Sequence, residues 1–213
     1  MSIWTPTREW EGQDAFLIGG GPSLSEFDFS QLKGRRVIGC NDAFHLGPEI
    51  VSYCVFGDCS WIYRKKWEIS ESGVELVTCS PTLLNFKFPR LRAMRRKMHG
   101  IGSGDTVGWN YSTGALAIDL ARMLGARQVF LLGYDMSNQG NKSHWHRHNG
   151  KTVQAYSFDR FLRGFSDLSQ ALKIVPDFQV FNVTDGTSRL DVFPSMTFSA
   201  LRELLTLSPL VSK

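Results

Sequence analysis

The residues with the clearest chemical potential are a cluster of histidines. Three of the five histidines in this 213-residue chain fall in the stretch Ser143-His144-Trp145-His146-Arg147-His148. An imidazole, partly neutral near pH 7, can accept a proton, contact a phosphate or ligate a metal. The H-x-H-x-H spacing suits zinc only in an extended loop, so no metal site is assigned. We predict that His144, with His146 in reserve, accepts a proton and that Asp135 orients it or a metal. A solvated loop is the alternative.

A glycine-rich turn is the first candidate for binding a nucleotide. It directly follows an apolar run, and Ser23-Leu24-Ser25-Glu26 fits the capping box that begins a helix. Glycines let a phosphate approach the backbone, and the free N–H groups of a helix start bind it. Leu24 replaces the third glycine of the dinucleotide fingerprint, and G-x-x-x-x-G-K-[ST] is absent. A tight turn without a ligand is the alternative. The predicted nucleotide-binding residues here are Gly19, Gly20, Gly21, Pro22 and Ser23.

Further polar residues follow other apolar runs. Asn41 and Asp42 come after the second predicted strand, and Asp58 comes after the third. In a parallel sheet the carboxyl ends of the strands share one edge, where ligands of open α/β sheets bind. Ser112-Thr113-Gly114 precedes a helical pattern and predicts a second phosphate-binding helix start. Ordinary loop turns and N-caps are the alternatives. From this set we predict nucleotide binding by Asn41, Asp58, Ser112, Thr113 and Gly114.

Basic residues concentrate in one short stretch. The net charge is only +4, but five of the 24 basic residues stand close together. Such a stretch is either a solvated helix face or a positive surface for phosphates or for a nucleic-acid acceptor. The irregular segment around it, 81–110, is expected to form a mobile basic lid or insertion. The basic residues expected to contact a small-molecule or nucleic-acid acceptor are Arg90, Arg92, Arg95, Arg96 and Lys97.

These residues must be positioned by alternating strands and helices. The apolar runs are nearly continuous, as in a parallel sheet that is covered on both faces. We therefore predict an α/β, Rossmann-like three-layer sandwich with a mainly parallel sheet and a central first strand, formed by one domain over 1–213. The predicted strands are Ala15–Ile18, Val37–Cys40, Tyr53–Phe56, Glu75–Cys79, Val129–Leu132 and Phe178–Phe181. The predicted helices are Leu24–Leu32, Ser60–Ile69, Thr113–Leu124 and Phe158–Lys173.

The composition excludes several classes of protein. With 42% hydrophobic and 21% charged residues, the chain is neither disordered nor fibrous. No apolar stretch is long enough to span a membrane, and the first residues do not resemble an export signal. The four cysteines have no C-x-x-C spacing and are expected to be buried, reduced thiols. We expect a cytoplasmic protein with no membrane partner; a homo-oligomer stays open.

Several of these motifs resemble a known group of enzymes. GGGPSL at 19–24 and Cys40-Asn41 resemble the GNGPSL and CN of bacterial CMP-sialic-acid sialyltransferases, with Gly20 in place of the asparagine. Thr113-Gly114 before a helix and Leu132-Gly133-Tyr134-Asp135 after a strand resemble the second half of the same fold. The Gly-x-Asp that is followed by a histidine near a serine also resembles the archaeal 6-hydroxymethyl-dihydropterin pyrophosphokinases, and uncharacterised phage-encoded proteins with GGGPSL, GYDM and SHWH look closest. The resemblance implies that the glycine turn, Asn41 and Asp58 hold a nucleotide. It implies that Ser112 and Thr113 hold its phosphates, with Asp135 and His144 beside the reacting group.

Together the motifs predict a transferase that uses a nucleotide-activated donor. Transfer of a glycosyl unit to a hydroxyl acceptor is the leading expectation, because it needs a base and a cradle for the departing phosphate. An ATP-dependent pyrophosphokinase is the alternative, in which Asp135 and Asp58 would hold magnesium. A non-catalytic module that binds a nucleotide or nucleic acid is the third possibility.

Overall fold

A parallel β-sheet forms the centre of the molecule. The computed structural model describes residues 3–146, 153–186 and 188–207, and within them one sheet has eight strands, each parallel to its neighbours, with the first strand in the interior of the sheet. The mainly parallel sheet and its central first strand are thus confirmed. The strands are β1 (Asp14–Ile18), β2 (Arg36–Cys40), β3 (Tyr53–Phe56), β4 (Glu75–Thr78), β5 (Leu91–Ala93), β8 (Gln128–Leu132), β9 (Gln179–Val183) and β10 (Ser195–Met196). Across the sheet their order is β10-β9-β8-β1-β2-β3-β4-β5. A second sheet pairs β6 (Arg95–Lys97) with β7 (Thr106–Gly108), also in parallel.

Both faces of the large sheet are covered by helices. Side chains alternate along a strand, so Ala15 and Leu17 of β1 enter one apolar cluster while Phe16 and Ile18 enter the other. Helices α2 (Thr113–Met123) and α3 (Ala155–Leu172) pack into the first cluster. Helices α1 (Cys59–Ser72) and α4 (Phe198–Leu207) pack into the second. The α/β three-layer sandwich predicted from the apolar runs is therefore confirmed, and no helix of the described ranges is long and apolar enough to cross a membrane.

The helix predicted over Leu24–Leu32 is wrong. Two short 3₁₀ turns, Pro22–Leu24 and Phe29–Leu32, occupy this segment. Ser23 lies inside the first of these turns, and its N–H and its hydroxyl both donate to the carboxylate of Asp135. The Ser25 hydroxyl donates back to the carbonyl of Pro22, which satisfies that group within the turn. Local bonds from small polar side chains thus replace the helical ladder.

The basic stretch forms two short strands of the folded body. Residues 91–97 form the edge strand β5 and then β6, and the side chains of Leu91 and Met94 are buried. The division of the chain into one domain with an insertion stays a prediction, as does an acceptor role for the basic residues. Each basic group has a partner within the chain: Arg90 with the Ser70 carbonyl, Arg92 with Glu75, Arg95 with Asp105, Arg96 with the Gly57 and Cys79 carbonyls, and Lys97 with the Ile101 carbonyl.

Candidate active site

A cavity of about 150 Å³ opens at the carboxyl edge of the sheet, where β1, β2 and β8 end. The loops after these strands, the start of α2 and the side chains of Phe158 and Phe161 from α3 surround it. The structure thus brings together residues that the sequence only places at one edge. The predicted site residues that line the cavity are Gly19, Gly20, Gly21, Asn41, Ser112, Thr113, Gly114, Asp135, His144 and His146.

Two imidazoles stack in one wall of the cavity. The rings of His144 and His146 lie nearly parallel, with centroids 5.2 Å apart and an interplanar angle of 10°. Behind them Asp42 is completely buried, and its Oδ2 lies 4.0 Å from Nδ1 of His146. The other oxygen of Asp42 accepts a hydrogen bond of 3.1 Å from the indole N–H of Trp61. The sequence marks Asp42 only as a residue after a strand, and its place behind His146 depends on the fold of a distant loop.

Trp145 holds the histidine loop against the glycine turn. Its backbone N–H donates to the carbonyl of Gly20 at 3.0 Å, and its indole N–H donates to the carbonyl of Gly19 at 2.9 Å. The indole also packs against Phe29, with centroids 4.7 Å apart. His144 and His146 therefore face the cavity while Trp145, between them, enters the apolar cluster on the other side. The alternation in H-W-H is the sequence signal for this arrangement.

The two ends of the histidine loop are tied together by one hydroxyl. Ser143 donates to the side-chain oxygen of Asn138 at 2.7 Å and accepts a bond of 2.7 Å from the N–H of Val153. Asn138 in turn donates to the carbonyl of Val153 at 3.1 Å. Arg147 and His148, the remainder of the histidine motif, lie outside the described residues.

Burial affects the basicity of His144. Loss of water contact lowers its pKa, while the Gly20 carbonyl and the charge of Asp42 act in the opposite direction. A lowered pKa keeps the imidazole neutral at pH 7, the form that can accept a proton. The location and charge state of His144 thus fit the predicted proton acceptor, and the role itself stays a prediction.

The glycine turn is filled by the protein itself. A Cβ added to Gly19 would lie 2.6 Å from the Gly133 carbonyl oxygen, and one added to Gly21 would lie 2.6 Å from the Asp135 carboxylate. At Gly20 the obstacle is Nδ1 of His144, at 2.8 Å. These glycines allow other loops of the chain to approach, which is a different reason from the expected approach of a phosphate.

Asp135 occupies the position that the sequence suggests for a bound anion. Its two oxygens accept bonds of 2.8 Å from the Ser23 N–H and 2.6 Å from the Ser23 hydroxyl. Burial raises the pKa of Asp135, and the two bonds from Ser23 oppose that change. The expected orientation of His144 by Asp135 has no support in these contacts. Pro22 and Ser23 do not line the cavity.

The start of α2 is the helix start that remains open to the cavity. Ser112 caps this helix by accepting a bond of 3.1 Å from the N–H of Gly114. Asn110 and Tyr111, immediately before it, both adopt positive φ angles, of 45° and 59°. Such angles are uncommon outside glycine, and they turn the chain sharply into the helix. The positive end of the α2 dipole therefore lies at the cavity, where it favours an anion.

The opposite wall is neutral and partly aromatic. The Cys40 thiol lies 3.7 Å from the Tyr134 hydroxyl, and burial raises the pKa of Cys40 to about 12 and that of Tyr134 well above its ordinary value. Neither group ionises near pH 7. Phe158 and Phe161 add aromatic surface. This wall suits the uncharged part of a ligand, and its residues are not among the predicted site residues.

Asp58 does not belong to the cavity. Its side chain caps α1 by accepting a bond of 3.0 Å from the N–H of Ser60, and it is exposed. A magnesium ion between Asp58 and Asp135 does not fit this arrangement. Asp58 caps α1, and Asp135 accepts two hydrogen bonds from Ser23 in the glycine turn. Within the described residues no group of three acidic, histidine or cysteine side chains could hold a metal ion.

Comparison with known proteins supports the fold. No protein-family model and no curated relative matches the chain. Among solved structures it is similar to the sialyltransferase CstII from Campylobacter jejuni in complex with cytidine 5′-monophosphate, with 16% identity, a TM-score of 0.53, and coverage of 87% of this chain and 85% of that chain. The same enzyme with CMP-3FNeuAc gives 14% identity, 79% coverage of each chain and a TM-score of 0.45. At such identities the likeness shows the fold, so the sialyltransferase-like, Rossmann-like fold is confirmed. Nothing in the comparisons supports a phage origin.

Proposed function

We propose that this protein is a transferase that takes a glycosyl group from a nucleotide-activated donor and delivers it to a hydroxyl acceptor. One observation carries the proposal: a neutral, half-buried imidazole and the positive end of a helix face the same cavity. Glycosyl transfer needs both a base for the acceptor hydroxyl and stabilisation of the departing phosphate.

Each part of the cavity would have a separate role in the transfer. The phosphates would lie at the start of α2, against Ser112, Thr113 and Gly114, where the helix dipole stabilises the charge that develops on the leaving nucleotide. His144 would accept the proton of the attacking hydroxyl. The neutral, aromatic wall would take the base or the sugar of the donor. Asn41 lines the same cavity with a positive φ of 51°, a strained conformation that is typical of functional sites.

The choice of donor rests on the fold neighbour and on the motif resemblance. The sialyltransferase with this fold was solved with cytidine 5′-monophosphate. A cytidine nucleotide is accordingly the first ligand to test here. The ATP-dependent pyrophosphokinase is less well supported, because Asp135 and Asp58, its expected magnesium ligands, are engaged elsewhere.

The first experiment compares nucleotides by calorimetry. CMP, UDP, GDP and ATP are titrated into the protein with and without magnesium. We expect the protein to bind a nucleotide that sugar transfer releases, with CMP bound most tightly. This binding should be the same with and without magnesium. Binding of ATP that requires magnesium would favour the pyrophosphokinase instead.

The second experiment measures hydrolysis or transfer of a CMP-sugar. His144→Gln is expected to reduce the rate by about 10² to 10⁴, the usual cost of losing a general base. His99→Gln is the matched control, because His99 is an exposed histidine that bonds to Asp167 and Tyr111. Full activity of both His144→Gln and His146→Gln would exclude these histidines as the base, whereas no turnover by the wild-type protein would leave only the non-catalytic binding module.

A further inference from the structure

A buried carboxylate lies behind the histidine pair and is only partly compensated. Asp42 is completely buried, and one of its oxygens bonds to Trp61. Its second oxygen, also buried, accepts no hydrogen bond from the residues described and lies 4.0 Å from Nδ1 of His146. A buried carboxylate is costly unless a cation or a donor faces it. Within the described ranges, His146 lies where it can form an ion pair with Asp42 when its imidazole is protonated.

A second imidazole, that of His144, lies beside the contact between Asp42 and His146. Since His146 stacks on His144 at 5.2 Å, a proton on one ring disfavours a proton on the other. The negative charge of Asp42 acts on both rings and favours a single proton on the pair. Gly20 also lies against His144, because a Cβ added to Gly20 would be 2.8 Å from Nδ1 of that ring. The ring of His144 therefore lies between His146 and the glycine turn.

Other titratable groups around the pair do not compete with Asp42. Burial raises the pKa of the Cys54 thiol, whose sulfur donates to the Asn41 carbonyl, and it does the same for Cys40 and Tyr134. These three groups are uncharged near pH 7. Further along the turn that carries Asp42, His45 pairs with Glu68 at 3.3 Å. The carboxylate of Asp135 is held by Ser23.

We propose that Asp42 is a positioning residue: its buried carboxylate holds the ring of His146, and His146 in turn holds His144 over Gly20 as the proton acceptor. The catalytic part of this inference rests on the proposed function. The physical part, a charge coupling between Asp42 and the two imidazoles, belongs to the free protein and can be measured without a substrate.

The test follows the imidazole signals of ¹³C- and ¹⁵N-labelled protein by NMR against pH, with assignments from single His→Gln variants. Asp42→Asn keeps the size of the side chain and its oxygen toward Trp61. It is expected to lower the titration midpoint of His144 by about one pH unit, because a nearby opposite charge is lost. Asp28→Asn, at an exposed turn, is the control and should leave that midpoint unchanged.

His146→Gln provides an independent result if Asp42→Asn does not fold. Removing the neighbouring imidazole is expected to raise the midpoint of His144, because the like charge disappears and Asp42 remains. A His144 midpoint that moves in neither variant would overturn the coupling, whatever the protein catalyses.

Activity then tests the positioning role separately. In Asp42→Asn we expect kcat to fall about tenfold or more with little change in KM, and the acid limb of the pH profile to move to lower pH together with the midpoint of His144. A moved midpoint with unchanged kcat would overturn the positioning role. A protein that shows the coupling but turns over no nucleotide sugar would instead contradict the proposed function.

Discussion

Two turns that line the cavity have similar sequences but different structures. Both the turn after β1 and the start of α2 combine glycine with serine, and both end an extended segment. At the first, Asp135 accepts the N–H and the hydroxyl of Ser23, and the helical conformation ends after three residues. At the second, Ser112 caps its own helix, which continues for 11 residues and begins at the cavity.

The difference shows what small residues after a strand do and do not specify. They mark a position that something approaches closely, but they do not identify what approaches. At Gly21 the neighbour is a carboxylate of the same chain, supplied by the loop after β8. An internal anion thus accepts the Ser23 donors of the first turn, whereas the second turn places a helix start at the cavity.

The largest effect is expected from filling the first turn. Gly21 has an ordinary φ of −59°, so a β-branched residue is allowed by the backbone and excluded only by its neighbours. In Gly21→Val the new side chain would meet Asp135 and Gly133, and overpacking of this kind costs about 3 kcal/mol. Urea denaturation measures the loss in free energy of unfolding.

Gly20→Ala is the contrasting variant. Its Cβ meets the ring of His144, a side chain that can turn, so activity should fall more than stability. If Gly21→Val unfolded at the same urea concentration as the wild type, Asp135 could not occupy the turn as described.

The second prediction compares two helix caps. Ser112→Ala and Asp58→Ala each remove one cap bond, to the N–H of Gly114 or of Ser60, and each should destabilise the protein by about 1 kcal/mol. Only Ser112→Ala should also weaken the binding of CMP, by about 3- to 10-fold, because only α2 begins at the cavity. If calorimetry showed that both variants weaken CMP binding equally, Asp58 would have to contribute to the nucleotide site.

The third prediction concerns the indole that joins the histidine loop to the glycine turn. Trp145→Phe keeps an aromatic ring against Phe29 but loses the bond to the Gly19 carbonyl, at a cost of about 1 kcal/mol. The transfer rate should also fall, because Trp145 lies between the two histidines. Trp67→Phe, at a site 74% exposed, is the control for thermal denaturation and activity and should change neither. A wild-type melting temperature for Trp145→Phe would exclude the anchoring role.

The sequence allowed prediction of the elements that repeat a simple pattern. Continuous apolar runs located six strands to within about two residues, and the spacing of Leu116, Leu120 and Met123 located α2. The short strands β5 to β7 and β10 and the helix α4 were not predicted. A three-residue strand carries too little apolar pattern, and in β6 (Arg95–Lys97) every residue is basic.

The candidate site was predictable as a place but not as a set of contacts. Shared strand polarity brings Gly19, Asn41 and Asp135 to one edge, and the sequence indicates this directly. The bond between Ser23 and Asp135 joins residues 112 positions apart, and no local pattern encodes it. The same holds for Asp42 and His146, whose pairing depends on how the loop folds back over the sheet.

The smallest expected effect is a dependence of stability on pH that differs in sign between two carboxylates. Burial raises the pKa of Asp135, so the folded protein holds that proton more tightly than the unfolded chain does. Its contribution to stability is then present at low pH and lost as the pH rises through the folded pKa. Asp28 is the opposite case, because bonds from Ser30 lower its pKa, and its contribution is lost as the pH falls.

Urea denaturation at pH 4 and pH 7 checks both signs, because asparagine does not titrate. The destabilisation caused by Asp135→Asn should be larger at pH 4 than at pH 7, and that caused by Asp28→Asn should be larger at pH 7. If Asp135→Asn instead costs more at pH 7, the bonds from Ser23 outweigh the burial of the carboxylate. The first turn would then hold a fully charged internal anion, and its contrast with the open start of α2 would be stronger.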